Sequence, residues 1–427
     1  MPWLPLDPVL LRLGLYIKID HAWMDHPFVR NIFTVSSPTE IAIIRKHQLT
    51  KLLYAPERSH ADVVAAITDP SIPVKEFEID AETAQDAEAD EASILKEKHL
   101  QLQTVVEHRK AIEENVRVYG ESTNEVAVMM AMANAGQADM LRSASKILSN
   151  MGNVVSQGEV ALSLVCAESR PEPGQELAMQ GINVSALATL TAKTLGLSQE
   201  ETEFVGMGAL FHNIGMSRVP LAVRVKNEED LSPTEVKLLR MYPQLGKEIL
   251  EAISGVPEAV IEIVYQHREY LDGTGFPKRL INGDISKLAR LVGAIVEYNL
   301  LTNDQRSSRY LGSGQALAYL YTKLKNKYGP DVIEPFIATV TVFPPGSFVE
   351  LDDSSFGLVL KSNTQERLRP VIMLYERQAS HDQPAIIDLA RERSLSIIRA
   401  LDPKGLPDRV KEALLTTKLK GYVITGK

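Results

Sequence analysis

The hydrophobic pattern at the start of the chain is that of short strands and one helix. Alternating apolar and polar residues over Leu15–Asp20 and Asn31–Val35 predict two strands, and Pro38–His47 predicts a helix. Strands and a helix within so short a segment are typical of a small α+β domain. We assign residues 1–75 to this domain.

Farther along the chain the pattern becomes helical. Apolar residues recur at helical spacing from about Ile94 to about Tyr328, interrupted by glycine and proline. One helix start is marked by Ser232, because Glu235 stands three residues later and completes a capping box. This cap is structural and predicts no activity. The sequence therefore predicts a mainly α fold, with a bundle of helices over residues 156–340.

The C-terminal part returns to short apolar runs after Thr339, with Asp352–Ser355 as a turn between two of them. These runs predict a β-rich extension over residues 341–427, in which Asp408–Lys418 forms one more short helix. The predicted strands are Thr341–Phe343, Ser347–Leu351, Gly357–Leu360 and Pro370–Leu374.

Acidic residues dominate the segment that joins the first two domains, from Glu76 to Glu91. Two structures fit this composition, a solvated linker and the exposed start of a long helix. An acidic binding tail is a third, functional interpretation. A long helix would offer either a homodimer contact or a face that packs on its own domain. We assign residues 76–155 to an acidic linker followed by helices.

Composition and charge exclude several classes of protein. The chain has 427 residues, 44% hydrophobic and 24% charged, which is enough for several domains with a core. Its formal net charge of −9 repels phosphate backbones and argues against bulk nucleic-acid binding. The single cysteine, Cys166, forms no disulfide within the chain, as in a reducing compartment. With no basic leader and no long apolar run, we expect a cytoplasmic protein without a membrane span.

Two segments place imidazoles beside other polar side chains: Ala209–Gly215, with His212, and Tyr265–Pro277, with His267. Here the sequence resembles the HD-GYP family of phosphodiesterases. The likeness extends over residues 176–309, and the flanking regions resemble those of one branch of that family. The resemblance implies a helical bundle that holds two or three ions, usually iron or manganese, and hydrolyses cyclic di-GMP. In such a site, carboxylates and imidazoles bridge the metals so that a bound water is ionised.

Most positions at which the resemblance implies a functional residue of the metal site carry a different residue here. An amide oxygen such as that of Asn213 is neutral and a weaker donor than a carboxylate. The guanidinium of Arg268 cannot coordinate a metal and repels one. We therefore expect no catalytic residue in this set. The departures are Gln180, Tyr242 and Arg268 in place of histidines, Asn213 and Val296 in place of aspartates, and Met216 in place of a lysine.

Two histidines of the implied metal set survive, His212 and His267, with Glu176 as a weaker match to an acidic ligand. A buried histidine is more often a hydrogen-bonded core residue than a ligand, so both interpretations stand for His212. Glu269 and Asp272 follow His267 closely and would aid the binding of a single ion. We expect no cofactor, or at most one residual iron or manganese ion.

The glycine-rich segment after His267 is better preserved. It resembles the family's signature, with a phenylalanine in place of a tyrosine, so the aromatic face stays and the hydroxyl is lost. Its glycines permit tight turns and the close approach of a ligand or partner. One interpretation is a fold-defining turn; the other, implied by the resemblance, is contact with a diguanylate cyclase domain of the GGDEF type. The candidate binding residues are Asp272, Gly273, Gly275, Phe276 and Pro277.

The resemblance also implies two basic residues, three apart, against the phosphates of the nucleotide. Arg306 and Arg309 have this spacing, and Arg268 is a third candidate. We predict a catalytically silent family member that works in cyclic di-GMP signalling, with motility and biofilm as the pathways expected of the family. It would act by binding a protein partner, the nucleotide, or both. The alternatives are a residual metal-dependent phosphodiesterase and a scaffold that binds no nucleotide.

Overall fold

The structure is a computed structural model. The chain divides into two compact units. The first comprises residues 1–109, 373–387 and 408–416, and the second comprises residues 110–372, 388–407 and 417–427. The structure describes residues 3–21, 25–68, 77–156, 174–226, 228–303, 311–340, 343, 345–363, 365–375, 385–401 and 406–414.

The first unit is built on an antiparallel sheet of four short strands. Its elements are β1 (Leu4–Leu6), β2 (Tyr16–Ile19), β3 (Ile32–Thr34), α1 (Pro38–Lys46), β4 (Leu52–Tyr54) and α2 (Ala61–Thr68). The strand order is β1-β4-β2-β3, and Ile17 of β2 lies opposite Tyr54 on one side and Phe33 on the other. Buried isoleucines of α1 pack into the same core as the strands. The small α+β domain predicted from the sequence is confirmed.

The part of the acidic segment from Ala81 onward forms the beginning of one long helix, α3, which runs over Ala81–Asn134. Of the structures that the sequence allowed, the start of a long helix is therefore the correct one. Glu91 holds this part of α3 against α1, because its carboxylate accepts hydrogen bonds from Lys46 at 2.9 Å and His47 at 2.6 Å. The acidic residues from Glu82 to Glu91 therefore belong to a helix that Glu91 attaches to α1.

A buried histidine makes the first unit sensitive to acid. His26 is 3% exposed, and its Nε2 donates to Asn31 Oδ1 at 3.1 Å. The ammonium of Lys98 donates to the carbonyl oxygens of His26 and Phe28. Burial, aided by the charge of Lys98, lowers the pKa of His26 to about 4. The imidazole is therefore neutral in the folded protein at neutral pH.

We expect acid to destabilise the first unit through His26. Because the unfolded imidazole has a pKa of about 6.5, it takes up a proton before the folded one does, so stability is full above that pH and falls as the pH drops towards 4. Between pH 7 and pH 5 this residue should cost about 2 kcal/mol of unfolding free energy. Urea unfolding of the wild type and of His26→Gln at both pH values measures the difference. An identical pH dependence in the two proteins would contradict the prediction.

The second unit is dominated by helices around one continuous apolar core, which confirms the predicted bundle. The capping box of Ser232 and Glu235 is present at a helix start, as the sequence predicted. None of the helices in the described ranges has both the length and the hydrophobicity that crossing a membrane requires. The described α-helices after α3 are α4 (Met140–Ser156), α5 (Glu176–Thr194), α6 (Gln199–Phe211), α7 (Leu221–Arg224), α8 (Pro233–Leu239), α9 (Tyr242–Glu251), α10 (Glu258–Gln266), α11 (Lys287–Asn303), α12 (Ser313–Tyr319), α13 (Lys325–Tyr328) and α14 (Pro330–Val340).

Two glycines let backbone segments of the bundle meet directly. A Cβ atom at Gly215, just after α6, would overlap the carbonyl oxygen of Tyr242 in α9. A Cβ atom at Gly293, in α11, would overlap the carbonyl oxygen of His267, which follows α10. Only glycine fits where two backbones approach this closely. These contacts bring the two histidine-bearing segments together with α9 and α11.

The C-terminal region carries short strands, as predicted. Phe348 of β5 lies opposite Leu358 of β6 and Leu401 of β9 in antiparallel pairs. The predicted strand Thr341–Phe343 lies outside the described residues except for its last residue, and so does the part of the predicted last helix after Leu414. The elements of this region are β5 (Phe348–Leu351), β6 (Phe356–Lys361), β7 (Val371–Tyr375), β8 (Ala385–Asp388), β9 (Ile397–Leu401) and α15 (Asp408–Leu414).

Candidate functional site

His212 lies at the C-terminal end of α6 with its side chain in the core. Its Nδ1 donates to the carbonyl oxygen of Ala209 at 2.7 Å, so Nε2 carries the lone pair. Burial lowers the pKa of His212 to about 4 and keeps the ring neutral. In the part of the chain that the structure describes, Nε2 is buried and has no hydrogen-bond partner. One imidazole nitrogen is therefore available to a ligand or to a water molecule.

Asn213 forms an amide pair with another departure from the family pattern. Its Nδ2 donates to Gln180 Oε1 and to the carbonyl oxygen of Leu177, both at 2.9 Å. The orientation of the amide is thus set by two acceptors on α5. Asn213 Oδ1 is buried and has no partner among the described residues. Two positions that the resemblance assigns to metal ligands are instead hydrogen-bonded to each other.

His267 is close to His212 but its ring nitrogens are both engaged. The ring centroids lie 5.5 Å apart in an edge-to-face arrangement. His267 Nδ1 donates to the carbonyl oxygen of Val264 at 2.8 Å, and Nε2 accepts from the hydroxyl of Tyr242 at 2.8 Å. Burial holds the pKa of His267 well below its usual value. The phenol of Tyr242 therefore occupies the lone pair that a metal would use.

Arg268 brings a positive charge into the same interior. Its Nη1 donates to Glu297 Oε2 at 3.0 Å, and the two side chains are 13% and 5% exposed. The pair joins the segment after α10 to α11. Glu297 was not among the residues singled out from the sequence, although a lone carboxylate within the apolar run of α11 is a visible signal. A buried charge of this kind requires a partner.

The remaining departures are apolar or lie at the surface. Val296 is 1% exposed in the core of the bundle, and Met216 packs in a small cluster with Tyr242. Glu176 is exposed in the first turn of α5, where its carboxylate accepts from the amide of Gly174 at 3.0 Å. Across the described ranges, no three His, Cys, Asp or Glu side chains are grouped so that they could hold a metal ion. The donor set does not fit the cluster of two or three metals that the resemblance implies.

The glycine-rich loop is folded by its own side chains. Asp272 Oδ1 accepts from the amide of Thr274 at 2.9 Å and from its hydroxyl at 2.6 Å. Gly273 has a φ of +71°, which favours glycine, and a Cβ atom at Gly275 would come within 3.0 Å of the backbone of the preceding segment. The turn predicted for this loop is present. Its binding role stays a prediction.

Glu269 is the anchor of the following segment, which the sequence did not reveal. Its carboxylate is 1% exposed and accepts three backbone amides. The donors are Lys278 at 2.6 Å, Arg279 at 3.1 Å and Leu280 at 3.0 Å. With all three donors in place, this carboxylate has a structural role. It is not free to aid a metal ion beside His267.

Phe276 links the loop to the interior site. The peptide bond between Phe276 and Pro277 is cis, and the ring of Phe276 lies edge-to-face with Tyr242 at 6.2 Å between centroids. The guanidinium of Arg268 lies over the same ring at 5.5 Å. The loop therefore rests on two of the residues that depart from the family pattern. Arg306 and Arg309 lie outside the described residues.

Comparison with families of known proteins decides what this bundle is. A family model described as an HD domain matches residues 138–332, which include both histidines. The chain contains an HD domain over these residues. A domain of unknown function (DUF3391) matches residues 7–144 of this HD-domain protein, and a KOW domain associated with HD domain matches residues 348–408. The family predicted from the HD-GYP motifs and their flanking regions is confirmed.

Three curated relatives of this HD-domain protein have the same activity in their names. A cyclic di-GMP phosphodiesterase of Pseudomonas aeruginosa is 25% identical over 92% of this chain and 90% of its own. Cyclic di-GMP phosphodiesterase PdeB of Borreliella burgdorferi is 26% identical over 43% of this chain and 48% of its own. Cyclic di-GMP phosphodiesterase response regulator RpfG of Xanthomonas campestris is 29% identical over 36% of this chain and 41% of its own. The last two matches span less than half of those relatives.

Proposed function

We propose that this chain is a catalytically silent HD-GYP protein that acts in cyclic di-GMP signalling by binding a protein partner, the nucleotide, or both. The observation that carries the proposal is the hydrogen bond from the hydroxyl of Tyr242 to His267 Nε2. It engages the lone pair that a metal would need. The names of the curated relatives support the signalling context.

The chemistry of the interior supports the absence of phosphodiesterase activity. Hydrolysis by this class of site needs ligands that fix metal ions and lower the pKa of a bound water. Here the amide of Asn213 brings no negative charge, and Arg268 adds a positive one that Glu297 neutralises. Among the described residues, a metal ion entering this space would meet one free imidazole nitrogen, that of His212, and a carboxylate already paired with a guanidinium. We therefore propose that the protein works without a metal cofactor.

The retained surface supports a binding role. The loop Asp272–Pro277 keeps its turn and its aromatic ring, although the metal set beneath it has changed. A loop built this tightly offers the same shape to any molecule that contacts it. A diguanylate cyclase domain of the GGDEF type is the protein partner proposed for it. Arg306 and Arg309 are the residues proposed to hold the phosphates of cyclic di-GMP.

Titration of cyclic di-GMP into the full chain tests the proposal. The protein is supplied with manganese or with ferrous iron under anaerobic conditions, and the nucleotide is analysed by chromatography afterwards. We expect intact nucleotide and a turnover no greater than that of His212→Ala. Metal-dependent cleavage that disappears in His212→Ala would overturn catalytic silence and restore the residual phosphodiesterase.

The heat of the same titration separates the two modes of binding. Saturable heat that is lost in Arg306→Gln with Arg309→Gln supports a nucleotide receptor. If no heat is observed, binding of a protein partner is the remaining mode. Capture of a purified GGDEF domain by the wild type but not by Phe276→Ala would support that mode. If neither the nucleotide nor the GGDEF domain binds, the binding role is wrong.

A further inference from the structure

The last part of α3 contacts both segments that carry the amide pair of Asn213 and Gln180. One segment is α5, and the other is the short helical turn Ile214–Arg218, which follows Asn213. Apolar side chains from the same part of α3 are buried in the core of the second unit. They are Val126, Met129, Met130 and Ala133. The end of α3 is therefore a packed part of the bundle.

Polar side chains of α3 bind each of the two segments. The hydroxyl of Tyr119 donates to Oδ1 of Asn183, which lies in α5 and is 1% exposed. Asn134 is the last residue of α3, and its Oδ1 lies 2.7 Å from the hydroxyl of Ser217. Ser217 stands four residues after Asn213. Helix α3 thus spans the same two segments that the amide pair joins.

A third contact lies next to the amide pair, at Gly181. A Cβ atom there would come within 2.7 Å of the carbonyl oxygen of Leu210 in α6, so only glycine lets α5 and α6 meet at this point. The Cε atom of Met130 in α3 would lie 3.7 Å from the same Cβ atom. Met130 therefore lies beside the junction of α5 and α6, one residue away from Gln180.

The two histidines of the bundle differ in what protects them. Nε2 of His212 carries the lone pair and is buried, and it has no hydrogen-bond partner within the described ranges. Nε2 of His267 is engaged by the hydroxyl of Tyr242. Burial alone shields the nitrogen of His212, whereas a hydrogen bond also shields that of His267. A local opening of the bundle would therefore affect the reactivity of His212 first.

We propose that residues 118–134 of α3 form a strap that controls access to His212. With the strap in place, Tyr119 and Asn134 hold α5 to the turn after Asn213. When the strap moves away, these segments separate, the amide pair opens, and a small molecule reaches Nε2 of His212. The strap goes beyond the proposed function and does not depend on it, because it requires neither cyclic di-GMP nor a GGDEF domain.

The test is modification of the full chain with diethyl pyrocarbonate, a reagent that acylates neutral imidazoles, followed by mass spectrometry of its peptides. The rate at His212 should rise about tenfold in Tyr119→Phe, because the buried oxygen of Asn183 loses its donor in the closed state. Asn134→Ala removes an exposed contact and should give a smaller rise. The two changes together should exceed either one.

The matched control is Glu121→Gln, which lies in the same part of α3. The carboxylate of Glu121 pairs with Arg117 of the same helix at 2.8 Å, so its loss does not release α5. The exposed His99 serves as the internal standard for the reagent. Circular dichroism checks that each variant is folded, and Asn134→Ala, at the surface, keeps the test open if Tyr119→Phe is not.

Each outcome supports or overturns the strap. Faster modification of His212 in the strap variants, with His267 still protected and Glu121→Gln like the wild type, supports it. An equal rise at both histidines means that the whole bundle opens, and overturns it. Unchanged rates at His212, or the same rise in Glu121→Gln, also overturn it. Cleavage of cyclic di-GMP would overturn the proposed function without altering these rates, so the two failures are distinguishable.

Discussion

Arg268→Ala should lower the free energy of unfolding of the bundle by about 3 to 5 kcal/mol, because it removes the guanidinium that pairs with the buried carboxylate of Glu297. The pair lies in an interior where water cannot compensate the lost charge. Urea unfolding followed by circular dichroism measures the change. Arg399→Ala is the control, since Arg399 is 66% exposed in its pair with Glu350 and should cost at most about 1 kcal/mol.

A double variant separates charge from packing at the same position. Arg268→Met with Glu297→Leu removes both charges and keeps most of the volume. Because apolar replacements of a buried ion pair are often neutral or stabilising, most of the stability lost in Arg268→Ala should return. If Arg268→Ala were as stable as the wild type, the ion pair would not stabilise the junction of α11 with the segment after α10.

Gly293→Ala should destabilise the bundle by about 3 kcal/mol, because the added methyl group overlaps the carbonyl oxygen of His267 and the ring of Tyr328. A backbone oxygen cannot move aside as the end of a flexible side chain can. The control is Gly283→Ala, since a Cβ atom there meets no atom within 4 Å. Thermal unfolding of both variants gives the comparison.

The position of His267 supplies a second readout for Gly293→Ala. If helix α11 is pushed away, the hydrogen bond between Tyr242 and His267 should weaken, and the imidazole resonances of His267 should shift in NMR spectra. In Gly283→Ala they should stay where they are. Equal stability of the two glycine variants would contradict the close approach of the two backbones.

Sequence motifs were sufficient for the family and for the outline of the fold. The capping box at Ser232 and the turn at Asp272–Pro277 depend on residues a few positions apart, and both were predicted correctly. The acidic run was ambiguous, because its charges suit a linker and a helix equally. Its position became clear only through Glu91, which contacts α1 from 45 residues away.

The contacts that decide the chemistry of the site join distant parts of the chain. Tyr242 and His267 are 25 residues apart, and Arg268 and Glu297 are 29 apart. From the sequence, Tyr242 and Arg268 were visible as losses of ligands. That each had gained a partner could not be derived, because a single sequence carries no record of which side chains meet. For the same reason the role of Glu269 in holding Arg279 was missed.

The buried pair of Arg268 and Glu297 determines whether the packing of α11 depends on iron. An enzyme whose helices are tied together by iron depends on the supply and the oxidation state of that iron. Here the tie between α11 and the segment after α10 is made by the chain itself as soon as it folds. Neither chelation nor oxidative stress removes it. The contact between α11 and the segment after α10 should therefore hold whatever the supply of iron.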